Sequence, residues 1–238
     1  MRCILVVLAI VTLVANGYAE VRVKTGLSVV MFEGGAGIDQ LYWREADQAV
    51  DKIKEQSVLV SYGALDYPTE YSGSINLELG TLRGEEYQSV AKCVLPKGSA
   101  HVLVFLFPAN SANGTYQAQA FDVSLDEVPV GARMVINASS KRVRALYGKS
   151  KNDKWIRKFE VAPKRVRVVV PVDKGDPALT GRRIYGEYFD QEAKGWEKLL
   201  STRWYHTPDR RNYVVIFDSK GTPRPNIRYF SGVPIRGE

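Results

Sequence analysis

Few residues in this 238-residue chain are of types that do chemistry by themselves: two histidines, two cysteines, three methionines and four tryptophans. A mononuclear copper centre takes two His, a Cys and a weak axial Met. Cys93, His101, His206 and Met134 are of the right types, but the two histidines fall in different halves and no Met closely follows Cys93. No Cys/His pair has zinc-ligand spacing on one element, and no acidic loop has the spacing of a calcium site. No metal and no cofactor is expected. Nucleophilic hydrolysis needs a Ser or Cys beside a His and an orienting acid. The G-x-S-x-G elbow is absent. His101 opens an apolar stretch and His206 follows Trp204-Tyr205, so both read as surface or packing residues. The run Gly34-Gly35-Ala36-Gly37 lacks the Lys-Ser/Thr or the dinucleotide spacing of a phosphate loop. Asp66, Glu70, Glu85 and Glu86 are loop acids, and a glycosidase pair is assembled only in space. A glycan-active enzyme therefore stays a minor alternative, and no catalytic residue is nominated.

Binding chemistry is better represented. Basic residues crowd between positions 141 and 167, opposed there only by Asp153 and Glu160. Alternation places Arg142, Arg144, Arg165 and Arg167 on outward strand faces, with Lys151 and Lys154 on a connecting loop. These six residues are the expected contacts for an anionic partner. Such a field attracts anions over roughly a Debye length of ~8 Å at physiological salt. Trp43, Trp155, Trp196, Trp204 and Tyr205, in a chain with 13 tyrosines, supply rings that stack on sugars. Trp196 and Trp204 share a face if residues 195–204 form one regular strand, because their separation is even. Asn113-Gly-Thr115 and Asn137-Ala-Ser139 match the glycosylation acceptor pattern.

The elements that must position these residues begin after residue 19. Met1-Arg2-Cys3 is a short basic start, Ile4 to Val14 is apolar apart from Thr12, and Asn16-Gly17-Tyr18-Ala19 is small and polar. That order is the layout of a secretory signal peptide cleaved after Ala19, and the apolar run is too short to span a bilayer comfortably. The expected location is exported: periplasmic, envelope or extracellular, with no transmembrane span after cleavage. Cys3 leaves with the signal, so Cys93 has no partner for an internal disulfide; it sits in an alternating run and reads as a partly buried strand residue.

Short apolar-polar alternating segments separated by turn residues fill the rest, which predicts an all-β chain. The expected fold is two tandem antiparallel β-sandwich domains, residues 20–129 and 130–238, with the boundary near Pro129–Gly131. Residues 38–54 fit either two strands or a helix. Three segments of the first half recur in the second at similar offsets. Ser74–Leu79 matches Arg183–Tyr188, Val102–Phe107 matches Tyr213–Phe217, and Tyr116–Phe121 matches Asn226–Phe230. This points to duplication. Charge separates the halves: residues 20–129 carry 8 Lys/Arg and 15 Asp/Glu, net −7, and residues 130–238 carry 24 and 11, net +13.

The stretch Met134-Val-Ile-Asn-Ala-Ser139 before Arg142-Val-Arg-Ala-Leu-Tyr147, with Lys158-Phe-Glu-Val-Ala-Pro-Lys164 leading into Val166 to Val170, resembles the immunoglobulin-like or cupredoxin-like sandwich modules of uncharacterised secreted bacterial proteins. The resemblance implies a fold and an envelope setting and carries over no site residue. The expected function is a non-enzymatic binding or structural protein. Its basic half would meet an anionic polymer, lipid head groups or an acidic protein surface, with nucleic acid a poorer candidate given export. Two alternatives stand beside it: assembly by pairing acidic and basic halves of different copies, and glycan binding through Trp/Tyr.

Overall fold

The computed structural model describes residues 21–32, 38–44, 50–62, 65, 67–110, 115–149, 155–170, 183–203, 205, 207–218 and 221–232. It is all-β in a barrel-like and sandwich arrangement, with a single short helix among the described residues. The first half holds β1 (Arg22–Met31), β2 (Gln40–Trp43), α1 (Val50–Lys54), β3 (Ser57–Ser61), β4 (Thr69–Ser74), β5 (Asn76–Arg83), β6 (Glu86–Val94), β7 (His101–Asn110) and β8 (Thr115–Asp122). The second holds β9 (Arg133–Asn137), β10 (Val143–Lys149), β11 (Trp155–Val161), β12 (Arg165–Val169), β13 (Arg183–Asp190), β14 (Gly195–Arg203), β15 (Asn212–Phe217) and β16 (Asn226–Ser231). The ambiguous segment 38–54 divides: its first part is strand and its last part is helix. β3 has no counterpart among the strands expected from sequence. Its five residues follow α1 directly through a Gln56 N–H to Ile53 carbonyl bond, without a Gly or Pro to mark the junction.

An eight-stranded sheet runs β6-β5-β2-β3-β1-β7-β8, with β4 also on β1. β6 lies against β8, so the sheet curls toward closure around a core of Leu27, Val29, Met31, Leu41, Trp43, Leu79, Val104 and their neighbours. The second half forms two four-stranded sheets, β11-β10-β13-β14 and β12-β9-β15-β16. The sheets are mixed where antiparallel ones were expected: β1 pairs parallel with β7 and with β3, and β9 pairs parallel with β15. The parallel strands β1, β7, β9 and β15 are apolar on both faces along most of their length, as strands sandwiched between two cores must be.

Those two-faced strands explain how the halves join. Val30, Phe32, Leu103, Phe105 and Phe107 point away from the first core and meet Met134, Ile136, Tyr213, Val215, Phe217 and Phe230 of the second half. Phe32 is at the centre, with ring centroids 4.8 Å from Phe107 and Phe217, 5.4 Å from Phe230 and 5.5 Å from Phe105. The opposite face of the β9/β15 sheet packs Val135, Val214 and Ile216 against Val143, Phe159, Ile184, Tyr188 and Leu199. Three apolar layers thus run through the molecule without a polar break between the halves.

The pairing in the second half repeats that in the first strand for strand. β1·β7 and β9·β15 are parallel, while β7·β8 and β15·β16, β1·β4 and β9·β12, β2·β3 and β10·β11, and β2·β5 and β10·β13 are antiparallel. The hairpins β5·β6 and β13·β14 are antiparallel too, and each contains one bulge.

Candidate functional site

The outer face of the β10/β13 sheet carries the first two of the expected contacts. Val143 and Ala145 point into the core, so Arg142 and Arg144 point out. Their charges are already offset. Arg142 pairs with Glu160 at 2.8 Å, and Arg144 Nε donates to Glu187. In register, Glu160, Arg144, Glu187 and Lys198 form one cross-strand row of alternating sign over β11, β10, β13 and β14. The Arg144 guanidinium stacks 4.1 Å from the Trp196 ring centre, Arg142 lies 5.6 Å from it, and Phe189 meets it edge-on at 5.5 Å. Trp196 is therefore committed to this ladder on one face and one edge, which weakens it as a sugar platform.

Trp204, Lys151 and Lys154 lie outside the described residues. The premise that linked Trp196 to Trp204 does not hold within β14. The bulge opposite Gly186/Glu187 shifts the register: Trp196 and Lys198 sit opposite Phe189 and Glu187 on the outer face, whereas Thr202 sits opposite the core residue Ile184. An even separation across the bulge no longer means a shared face.

Arg165 and Arg167 are exposed on β12, an edge strand. They stand opposite Asn137 and Val135, on the side of their sheet that faces the β10/β13 sheet, and Arg167 lies 5.6 Å over Phe159. Among the described residues neither has an ion pair. The six expected contacts thus do not form one patch: two are neutralised on an outer face, and two line a sheet edge.

A group that sequence reasoning missed lies at the open end of the second sandwich. Along the inner face of the β9/β15/β16 sheet, one cross-strand row is Val135, Val214 and Tyr229, and the next is Arg133, Asn212 and Ser231. The apolar core stops between these rows. Thr202 and Arg203 at the end of β14 and Tyr205 after it face the polar row across a cleft of about 340 Å³. Its polar groups are tied together: Ser231 Oγ donates to Asn212 Oδ1 at 3.0 Å, Asn212 Nδ2 donates to Thr207 Oγ1, and Arg133 Nη2 donates to the Tyr205 carbonyl at 3.1 Å. Tyr205 and Tyr229 remain 60% and 50% exposed. Tyr205 carried a sequence signal as an aromatic. The arginines and Asn212 carried none, because each is one ordinary residue at a strand end until register aligns them.

The copper-type residues are dispersed. Cys93 packs on the first core and Met134 in the inter-half core, and burial pushes the Cys93 thiol up to about 12, which makes it inert. His206 lies outside the described residues. His101 is held between Ser28 Oγ at 3.0 Å from Nε2 and Arg211 Nη2 at 3.3 Å from Nδ1. A guanidinium only donates, so Nδ1 accepts, and Nε2 carries the proton toward Ser28. Burial, and then the Arg211 charge, hold His101 down at about 4. That tautomer is the wrong one for activating Ser28, itself buried, as a nucleophile. Asn137 is fully buried and donates to the carbonyls of Lys141, Val161 and Ala162, so the second acceptor pattern marks a folding residue.

No helix among the described residues is long and apolar enough to cross a membrane. The chain matches no protein-family model and no curated protein.

Proposed function

We propose that the chain is an exported, non-enzymatic binding or structural protein built of two tandem, duplicated sandwich units, residues 20–129 and 130–238. Its basic second half contacts an anionic envelope or extracellular partner. The repeated pairing order supports the duplication, and the equivalent strands β5/β13, β7/β15 and β8/β16 are the segments that match in sequence. The observation that carries the binding reading is the placement of exposed Arg165 and Arg167 on a sheet edge, with Arg133 and Arg203 lining the cleft, in a half of net charge +13. Cations left without neighbouring carboxylates attract oxyanions, and Arg does so with a bidentate fork.

The test is retention of the full chain on dextran sulfate against neutral dextran across a salt series. Binding to the sulfated polymer alone, falling steeply with salt, is expected. Arg165→Glu with Arg167→Glu should weaken it about tenfold, by an electrostatic difference of about 1.4 kcal/mol. Arg142→Ala with Arg144→Ala should weaken it less, since those charges are already paired. Unchanged retention in the β12 variant would remove that edge from the contact surface.

One observation favours assembly as a second reading. The interface between the halves is apolar, so their opposite charges are not spent on each other within the chain. Head-to-tail pairing of copies would use them. Sedimentation of a dilution series at low and high salt decides it, and a monomer throughout would end this reading.

A further inference from the structure

The geometry points to the cleft at the open end of the second sandwich as a subsite for an acidic sugar: a pyranose carrying a carboxylate or sulfate within an exported glycan. This inference rests on the proposed anion-binding role and names the ligand class that role would serve.

Three features of the cleft converge on that chemistry. The first is charge. Arg133 and Arg203 bring two guanidiniums to one concavity, from a β9 strand end and a β14 strand end that face each other. A planar fork of donors matches a carboxylate or a sulfate. The second is neutral hydrogen bonding. Asn212 and Ser231 extend the same row as Arg133, and Thr202 sits on the opposing wall. Amides and hydroxyls both donate and accept, which is what ring hydroxyls require and what a bare phosphate does not. The third is the pair of half-exposed rings, Tyr205 and Tyr229, at 60% and 50% exposure. Rings left open beside a polar floor offer the apolar faces on which sugar rings pack.

Shape decides against two other anions. A lipid head-group layer presents a broad plane, and a recess between two sheets reaches little of it. An acidic peptide would be expected to add to a sheet edge through its backbone, and the cleft is walled by side chains at strand ends. At about 340 Å³ it is near the lower end of ligand sites, which run from roughly 300 Å³ upward, so it suits a short stretch of chain or a chain end. The existing ties hold the floor in place before any ligand arrives: Asn212 to Ser231 at 3.0 Å, and Arg133 to the Tyr205 backbone at 3.1 Å. Little ordering entropy then remains to be lost on binding.

Calorimetry of the full chain with tetragalacturonate, a sulfated oligosaccharide, neutral maltotetraose and polyphosphate tests the inference. At least one acidic oligosaccharide is expected to bind more than tenfold more tightly than maltotetraose, and more tightly than polyphosphate of equal charge. Which of the two binds identifies the oxyanion. Arg203→Gln should weaken that ligand about tenfold, and Tyr229→Ser several-fold, both with thermal unfolding within a few degrees of the parent. Arg165→Glu with Arg167→Glu should leave the oligosaccharide affinity within twofold. If polyphosphate binds as well as the sugars, or Arg203→Gln and Tyr229→Ser change nothing, the cleft is not a sugar subsite although the anion-binding reading survives. If no anion binds at all, both readings fall together.

Discussion

Single residues hold this fold at places where a polar group is enclosed. Asn137 is the clearest case. Its amide reaches three carbonyls on the turn after β9 and at the end of β11, and its oxygen accepts from the Ser139 backbone and hydroxyl. Asn137→Ala would strand those buried groups, and about 2–4 kcal/mol should be lost in urea unfolding. His101 gives a pH dependence. Its folded pKa is about 4, against 6.5 for the free side chain, so the unfolded chain binds the proton more readily below pH 6.5. The stability from burying it neutral is full above pH 6.5 and is lost as pH falls toward 4. Arg211 and Asp122 are the charged groups around it, the first opposing and the second favouring protonation. Between pH 7 and pH 5 the stability should fall by about 2 kcal/mol, and His101→Gln should flatten that slope. An unchanged slope in the variant would assign the effect to other groups.

At the scale of elements, the two bulged hairpins show how local exceptions set what a strand presents. Gly80 and Gly186 sit at the bulges of β5 and β13. A methyl group at Gly80 would lie 2.6 Å from the Gln88 carbonyl oxygen, whereas at Gly186 it would lie 2.9 Å from Leu200 Cγ. Backbone cannot turn aside as a leucine side chain does. Gly80→Ala should therefore cost about 2–3 kcal/mol and Gly186→Ala about 1 kcal/mol, measured as paired unfolding curves. The same β13·β14 bulge moves Thr202 from the outer face to the cleft, so the cleft depends on it. Strand positions were readable from alternation and turn residues: Arg165 to Val169, Thr115 to Asp122 and Asn212 to Phe217 fall within a residue or two of expectation. β3 was not, since it follows a helical turn without punctuation. The parallel pairings were not either, because alternation says which face is apolar and nothing about strand direction.

Across the whole molecule, the halves share a dry aromatic core, and this governs stability and experiment alike. Phe32 from the first half packs on rings from both halves, and Phe32→Ala should cost about 3–5 kcal/mol. Because the lost contacts belong to both halves, thermal unfolding should stay a single transition shifted downward. Two separated transitions in the calorimeter would show that the halves fold independently. Residues 130–238 alone would expose Met134, Ile136, Tyr213, Val215, Phe217 and Phe230, an apolar face too large for a soluble monomer. That fragment should self-associate in sedimentation, so binding is best measured on the full chain.

The sequence by itself determined that the chain is all-β, where most strands run, and how charge divides between the halves. Those properties are local: they depend on which residue types neighbour one another and on a two-residue period. Only the tertiary structure decided which charges are available. Arg142 and Arg144 face outward as alternation requires, yet Glu160 and Glu187 neutralise them from neighbouring strands. Only the structure brought Arg133, Asn212 and Ser231 into one row from three strands far apart in the chain. Register between distant strands comes from burying the cores on both faces of a sheet at once. That is a property of the packed whole, and no single segment encodes it.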